Sequence, residues 1–212
     1  DRYLEIVVRK DVPSEVEGRV ALEIQLGELP GVSVRSSVAR TYRFGALGAH
    51  LLGYVNEVSP QELEDKRELG YRLGDSIGRR GVEKTYEGEL RGTDGRQTMV
   101  VDSKGRSQSS KLAVQLAKDA GVDVTPHPGN RVVLTLDLDL QKYIAQIFPP
   151  GPRGAVLALN PNTGEVLALF SAPGFDPNAF VGGISAPYWR SLNESAARPL
   201  LDLRDRIQSA GP

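Results

Sequence analysis

The chain has 212 residues, 40% of them hydrophobic and 25% charged, which suits an ordinary globular chain of one large domain or two small ones. Its 26 basic and 27 acidic residues leave a formal charge of −1, which argues against a nucleic-acid partner and against a polybasic membrane-binding surface. Cysteine is absent, so disulfides and thiolate metal sites are excluded, and no apolar run approaches the roughly 18 to 20 residues of a membrane span.

Taken along the chain, Leu29-Pro30-Gly31 reads as a turn. Residues 31 to 42 follow with Val32, Val34, Val38 and Tyr42 on one parity, the alternation of a half-buried strand. Ser59-Pro60-Gln61-Glu62 is a helix start. Ser59 caps, Pro60 fits the first helical position, Glu62 closes a capping box, and Gly70 is the stop. Val82, Tyr86 and Leu90 share one face of a second short helix, with Gly92 just past its end. Residues 96 to 106 are expected to form a hairpin around Asp102-Ser103-Lys104-Gly105. Lys111 to Ala120 has helical character, and Thr125-Pro126-His127-Pro128-Gly129 reads as a break.

Beyond that break, Val132 to Leu136 reads as a strand. Leu140, Tyr143, Ile144, Ile147 and Phe148 mark the buried face of a helix that Pro149-Pro150 ends. Gly154 to Leu159 and Glu165 to Phe170 are apolar strands joined by the turn Asn160-Pro161-Asn162-Thr163-Gly164. Their near-continuous apolar character predicts an antiparallel hairpin inside a covered sheet. From Ser171 onward the chain is rich in loops. The division expected is residues 1 to 130 and 131 to 212.

Catalytic motifs are nearly absent from the sequence. No lysine has a serine three residues before it, and neither G-x-S-x-G nor K-T-G occurs; Ser191-Leu192-Asn193 matches only a bare S-x-N. His50, in an apolar stretch, reads as a satisfied, partly buried imidazole, and His127 as a solvated loop residue. Two distant histidines without cysteine make zinc improbable. Glu62/Glu64 and Asp202/Asp205 read as solvated helix surface. The glycines from Gly74 to Gly81 lack the Gly-Lys-Ser/Thr ending of a phosphate loop, and Arg79 and Arg80 are weak candidates for anion binding. No cofactor or metal is expected.

Four stretches nevertheless resemble class B penicillin-binding proteins. Leu47-Gly48-Ala49-His50-Leu51-Leu52-Gly53-Tyr54-Val55 resembles the family's pedestal signature. Gly78 to Gly92 is similar to the family's G-x-x-G-(L/V/I)-E-x-x-Y-(E/D)-x-x-L-x-G motif, through Gly78, Gly81, Glu83, Tyr86, Leu90 and Gly92. Gly154 to Leu169, with Pro161 and Gly164, resembles the first hairpin of the transpeptidase domain, although Asn160 stands where aspartate is usual. Phe175-Asp176-Pro177-Asn178 and its continuation Ala179 to Ser185, then Trp189 and Arg198-Pro199-Leu200, resemble the elongation-type branch, the penicillin-binding protein 2 group. Asp202 to Arg206 departs from the usual Asn-Arg-Ala.

The resemblance implies an α+β fold: a mostly β pedestal, or dimerisation domain, then the first helix and strands of a transpeptidase domain that stops before the S-x-x-K serine. Asp176, Pro177 and Asn178 join the other motif residues as structural positions, with no catalytic residue in this chain. It implies a parent peptidoglycan D,D-transpeptidase that cross-links stem peptides in cell elongation. The parent would be anchored upstream on the periplasmic face of the inner membrane and would be a β-lactam target. Its implied partners are a RodA-type glycosyltransferase, elongation-complex scaffold proteins and peptidoglycan. The chain alone is expected to be inactive. The alternative is a non-catalytic scaffold module of the elongation complex.

Overall fold

The computed structural model describes residues 8–9, 12–34, 39–95, 98, 100, 110–121, 123–195 and 199–200. In chain order its elements are α1 (Ser14–Gln25), α2 (Ala49–Leu52), β1 (Val55–Glu57), α3 (Pro60–Lys66), β2 (Ser76–Gly78), α4 (Gly81–Thr85), α5 (Glu87–Leu90), α6 (Lys111–Ala120), α7 (Leu138–Ile147), β3 (Gly154–Leu159), β4 (Val166–Ala172) and α8 (Ala186–Glu194). The chain forms two compact units. One takes residues 1–38 and 92–128, the other 39–91 and 129–212. The α+β class holds, with helix outweighing strand among the described residues of 1–130.

In the first unit, α1 follows Pro13 and carries Glu15 and Glu17 in its first turn, where the helix dipole favours them. Val20 and Ile24, four apart, are its half-buried apolar positions, while Leu22 and the capping Leu26 stand exposed. The helical character of 111 to 120 is realised as α6, whose Leu112, Val114 and Leu116 are exposed. The break at 125 to 129 is not free chain. Thr93 and His127 exchange both main-chain hydrogen bonds at 2.9 and 3.0 Å, although the His127 side chain is exposed as expected. The hairpin expected around Asp102 lies outside the described residues.

The second unit has two small cores. One gathers Val58, Tyr71 and Ile77, with Leu63 against them. It sits beside the antiparallel pair β1–β2, in which Val55 faces Gly78 and Glu57 faces Ser76. Next to it, α3 forms as its sequence dictates. Ser59 Oγ accepts from the Glu62 N–H at 3.3 Å, the Ser59 N–H donates to Glu62 Oε2 at 3.0 Å, and a left-handed Gly70 closes the following 3-10 turn. The other core joins Ala49, Phe175, Phe180 and Leu192. Tyr54 stacks on Phe180 at 3.9 Å between ring centres, and Trp189 meets Phe180 edge-on at 6.4 Å.

The second hairpin is the predicted one. β3 and β4 pair antiparallel from Gly154 opposite Ala172 to Leu159 opposite Val166, with a bulge at Ala158/Leu159. Asn160 Oδ1 accepts from the Asn162 N–H, and the left-handed Gly164 completes the turn. α7 lies on this hairpin with Asp137 as its side-chain cap.

Several expectations are corrected. Residues 32–34 and 39–42 form no strand; Val32 and Val34 are exposed, and only Tyr42 is buried. Val132 to Leu136 forms no strand either. It runs beside β4 through Thr135 Oγ1 to Val166 O at 2.7 Å and the Asp137 N–H to Leu167 O at 2.8 Å, without a ladder. The buried face of α7 is Gln141 and Ile144, with Leu140 and Phe148 partly covered, while Tyr143 and Ile147 point outward. The helix is held to its sheet through a polar side chain, so periodicity of apolar residues alone mis-sets its face. Among the described residues the hairpin stays two-stranded, and Leu157 and Leu159 are exposed, not covered.

Candidate functional site

The residues singled out from the sequence lie in three places, two of which meet. The first is the segment from Gly78 to Gly92. Gly78 ends β2, and a Cβ there would lie 2.1 Å from the Glu83 carbonyl oxygen; its N–H donates to Glu87 Oε2 at 2.7 Å. Gly81 has φ +58° and starts α4 so close to the end of α2 that a Cβ would sit 2.2 Å from Leu51 O. Only glycine allows both approaches. Glu83 is 4% exposed and takes the Arg40 Nε–H at 2.6 Å.

The single helix expected over Val82 to Leu90 is in fact two. Tyr86, at φ −109° and ψ 24°, separates α4 from α5 and is 44% exposed, so it does not belong to a buried stripe with Val82 and Leu90. Gly92, at φ +73°, ends the segment as expected. Below it, Gly129 crosses so closely that a Cβ would reach 2.0 Å from Leu90 O, and the Asn130 N–H donates to Glu89 O at 2.6 Å.

Within this segment the anion-binding idea for Arg79 fails, because its guanidinium is occupied. It donates to Glu62 Oε1 at 2.5 Å and also to the Glu57 carbonyl. Glu62 is therefore not plain solvated surface. The Arg79 hydrogen bond, helped by the Ser59 N–H and hydroxyl, holds its carboxyl down at about 2. Asp202 and Asp205 lie outside the described residues. Glu87 bridges the Gly78 N–H and the Tyr71 hydroxyl, the latter at 2.7 Å. Burial first, then the Glu87 hydrogen bond, pushes the Tyr71 phenol up to about 12.

The second place is the Phe175–Asn178 loop. Asp176 Oδ1 accepts from the Asn178 N–H at 2.9 Å and so opens the 3-10 turn Pro177–Phe180, with Pro177 buried beneath. Asn178 then holds the main chain of Tyr42: the Tyr42 N–H donates to Asn178 Oδ1 at 2.8 Å, and Asn178 Nδ2 donates to Tyr42 O at 3.0 Å. Arg40 and Tyr42, which carry the other half of this arrangement, escape the sequence reading. Their partners lie 43 and 136 residues away, and no local pattern announces them. Pro161 and Gly164 form the third place, an exposed turn remote in character from the other two.

His50 is half-buried and satisfied, as expected. Its Nε2–H donates to Pro199 O at 2.7 Å and the ring meets Phe175 edge-on. Among the described residues no cluster of His, Asp and Glu is arranged to hold a metal ion, and no helix is long and apolar enough to cross a membrane. No serine in the chain stands three residues before a lysine. The motif side chains are spent on internal hydrogen bonds: Glu83 with Arg40, Glu87 with Tyr71 and Gly78, Asp176 with Asn178, Asn178 with Tyr42. Such an arrangement fixes backbone.

Residues 1–134 match the family model of the penicillin-binding protein dimerisation domain. The chain is 37% identical over 205 residues to peptidoglycan D,D-transpeptidase MrdA of Salmonella typhimurium strain LT2, a match covering 95% of this chain and 31% of that protein. It is 33% identical over 205 residues to MrdA of Escherichia coli K12, covering 95% and 30%. The chain thus spans about a third of the length of these curated relatives. Among solved structures it is similar to the penicillin-binding protein PBP2 in its complex with MreC from Helicobacter pylori, with a TM-score of 0.70, 31% identity, and coverage of 92% of this chain and 34% of that one. It is also similar to Pseudomonas aeruginosa PBP2 in complex with WCK 5153, with a TM-score of 0.62, 34% identity, and coverage of 80% and 31%.

Proposed function

We propose a function from one premise: the chain belongs to the penicillin-binding protein dimerisation-domain family. The chain is the front part of an elongation-type peptidoglycan D,D-transpeptidase and supplies its pedestal together with the first helix and hairpin of the transpeptidase domain, divided near residue 130. In the parent protein a serine beyond this chain would attack the D-Ala-D-Ala stem, release D-alanine and pass the acyl group to a neighbouring amine. A β-lactam would be trapped at the same serine. The parent would be anchored upstream, on the periplasmic face of the inner membrane.

The carrying observation is the motif chemistry itself: the matched motifs spend their polar side chains on internal hydrogen bonds, and no S-x-x-K is present. The chain's own role is therefore architectural, and its catalytic contribution alone is nil. Its partners are a scaffold protein of the MreC kind and a RodA-type glycosyltransferase. The scaffold reading is supported by the relative solved with MreC and by the exposed Leu22, Leu26, Leu112 and Leu116 on α1 and α6.

The test is intact-mass analysis after incubation with a β-lactam, on this chain and on one extended through the following reading frame. Mass gain by the extended chain only supports the reading. Gain by neither favours a purely non-catalytic scaffold module, and gain by this chain sinks the architectural assignment.

A further inference from the structure

Two motifs that the sequence keeps nearly a hundred residues apart converge on one residue that belongs to neither. From one side, Asn178 holds both main-chain polar atoms of Tyr42, at 2.8 and 3.0 Å, as a neighbouring strand would. Asn178 is itself fixed by Asp176 Oδ1, which accepts from its N–H and its Nδ2, each at 2.9 Å. From the other side, the Tyr42 hydroxyl accepts at 3.0 Å from the N–H of Val55, the strand residue paired with Gly78, and Arg40, two residues before Tyr42, donates to the buried Glu83 carboxylate at 2.6 Å. Burial first, then the Glu83 charge, pushes this phenol well above its usual range, so it stays protonated.

We infer that Tyr42 is a joint that makes the Phe175–Asn178 loop and the Gly78–Gly92 segment one mechanical element, with Asn178 and Glu83 as its two positioning residues. Neither motif touches the other through its own side chains in these bonds; Asn178 grips the Tyr42 backbone, while the other segment holds Arg40 through Glu83 and reaches the Tyr42 hydroxyl through Val55, the partner of Gly78. The Asn178 carboxamide supplies the hydrogen bonds that a strand partner would otherwise provide at Tyr42. Loss of either grip leaves a buried polar group unmet, and the second grip loses its fixed target. A displacement of residues 40–42 is therefore delivered to the loop that carries Phe175 and Phe180, the centre of the aromatic core. The joint rests on geometry and stands whether or not the parent is a transpeptidase.

Hydrogen exchange of the full chain, amide by amide, tests it with Asn178→Ala, Asn178→Asp, Glu83→Gln and Tyr42→Phe. Asn178→Ala is expected to speed exchange at the Tyr42 amide about tenfold, and also at the Val55 amide, which Asn178 does not touch. Glu83→Gln is expected to speed the Tyr42 amide, which Glu83 does not touch. Tyr42→Phe keeps the ring and cuts the hydroxyl bond to Val55, so in its background Asn178→Ala no longer reaches Val55. Asn178→Asp keeps the acceptor for the Tyr42 N–H and should give a smaller rise, which covers the case in which the alanine variant fails to fold. Effects confined to the amide directly contacted, or an equal rise at the Gln141 amide in α7, overturn the joint.

Discussion

Arg79 crosses from the end of β2 to the first turn of α3 and donates to Glu62 at 2.5 Å, so the residue that closes the capping box of one helix also anchors the strand that follows it. The cap and the ion pair share one carboxylate.

That sharing makes Glu62 a pH-dependent contributor. Its folded pKa, about 2, lies below the ordinary 4.5, so its stabilisation is present above pH 4.5 and is lost as pH falls toward 2. Glu62 is partly exposed, so solvent screening reduces the effect: Glu62→Gln should cost about 1 kcal/mol near neutrality. Chemical denaturation of both proteins across this range should show two curves that merge under acid. A constant gap would mean that the charge is irrelevant.

The glycines of the Gly78–Gly92 segment should separate sharply. Gly78→Ala puts a methyl 2.1 Å from a backbone oxygen, and Gly81→Ala does so at 2.2 Å in a left-handed conformation. Each should cost more than about 3 kcal/mol or prevent folding. Gly88, in α5, has nothing within 4 Å of an added Cβ, and Gly88→Ala should stabilise by up to about 1 kcal/mol. Thermal melts rank the three, and a tolerated Gly78→Ala would contradict the close approach.

Gln141 serves as a substitute strand edge. Its Nε2 donates to Leu169 O at 2.7 Å and its Oε1 accepts from the Leu169 N–H at 3.0 Å, in a side chain 3% exposed. Gln141→Leu keeps the bulk and should cost about 2 kcal/mol by stranding two main-chain groups. Equal stability of the leucine variant would show that those groups find other partners.

Tyr71 offers a spectroscopic check. Its phenol should titrate near 12 against an ordinary 10, chiefly through burial and then Glu87. The folded pKa is the higher one, so the associated stability is full below pH 10 and drains away as pH rises toward 12. Glu87→Gln should move the ultraviolet titration of this tyrosine downward. The Arg91 guanidinium, 3.4 Å from the ring centre, opposes the upward shift, so Arg91→Ala should move it up.

What the sequence made legible was local. The Ser59–Glu62 box, the Asn160–Gly164 turn and the glycine stop at Gly92 each draw on residues within one turn of one another, and each formed. The misses came from contacts that periodicity does not encode. Tyr42 shared a parity with valines and was assigned to a strand, yet a carboxamide 136 residues away supplies its main-chain bonds. The face of α7 turned on buried Gln141, which an apolar count passes over. α1 carried a signal in Val20 and Ile24, weakened by Gly18 between its turns. The break at 128–129 is one place where the chain passes between its units; the passages at 38–39 and 91–92 are not read as boundaries from the sequence.

The interleaving of the second unit has a consequence for synthesis. Ala49 and Tyr54 leave the ribosome long before Phe175, Phe180 and Leu192, and Tyr42 precedes Asn178 by 136 residues. Until that later stretch emerges, the nascent chain carries half of a core with nothing to close it, so this part of the molecule folds late, and a gene cut near residue 130 encodes an unfinished half.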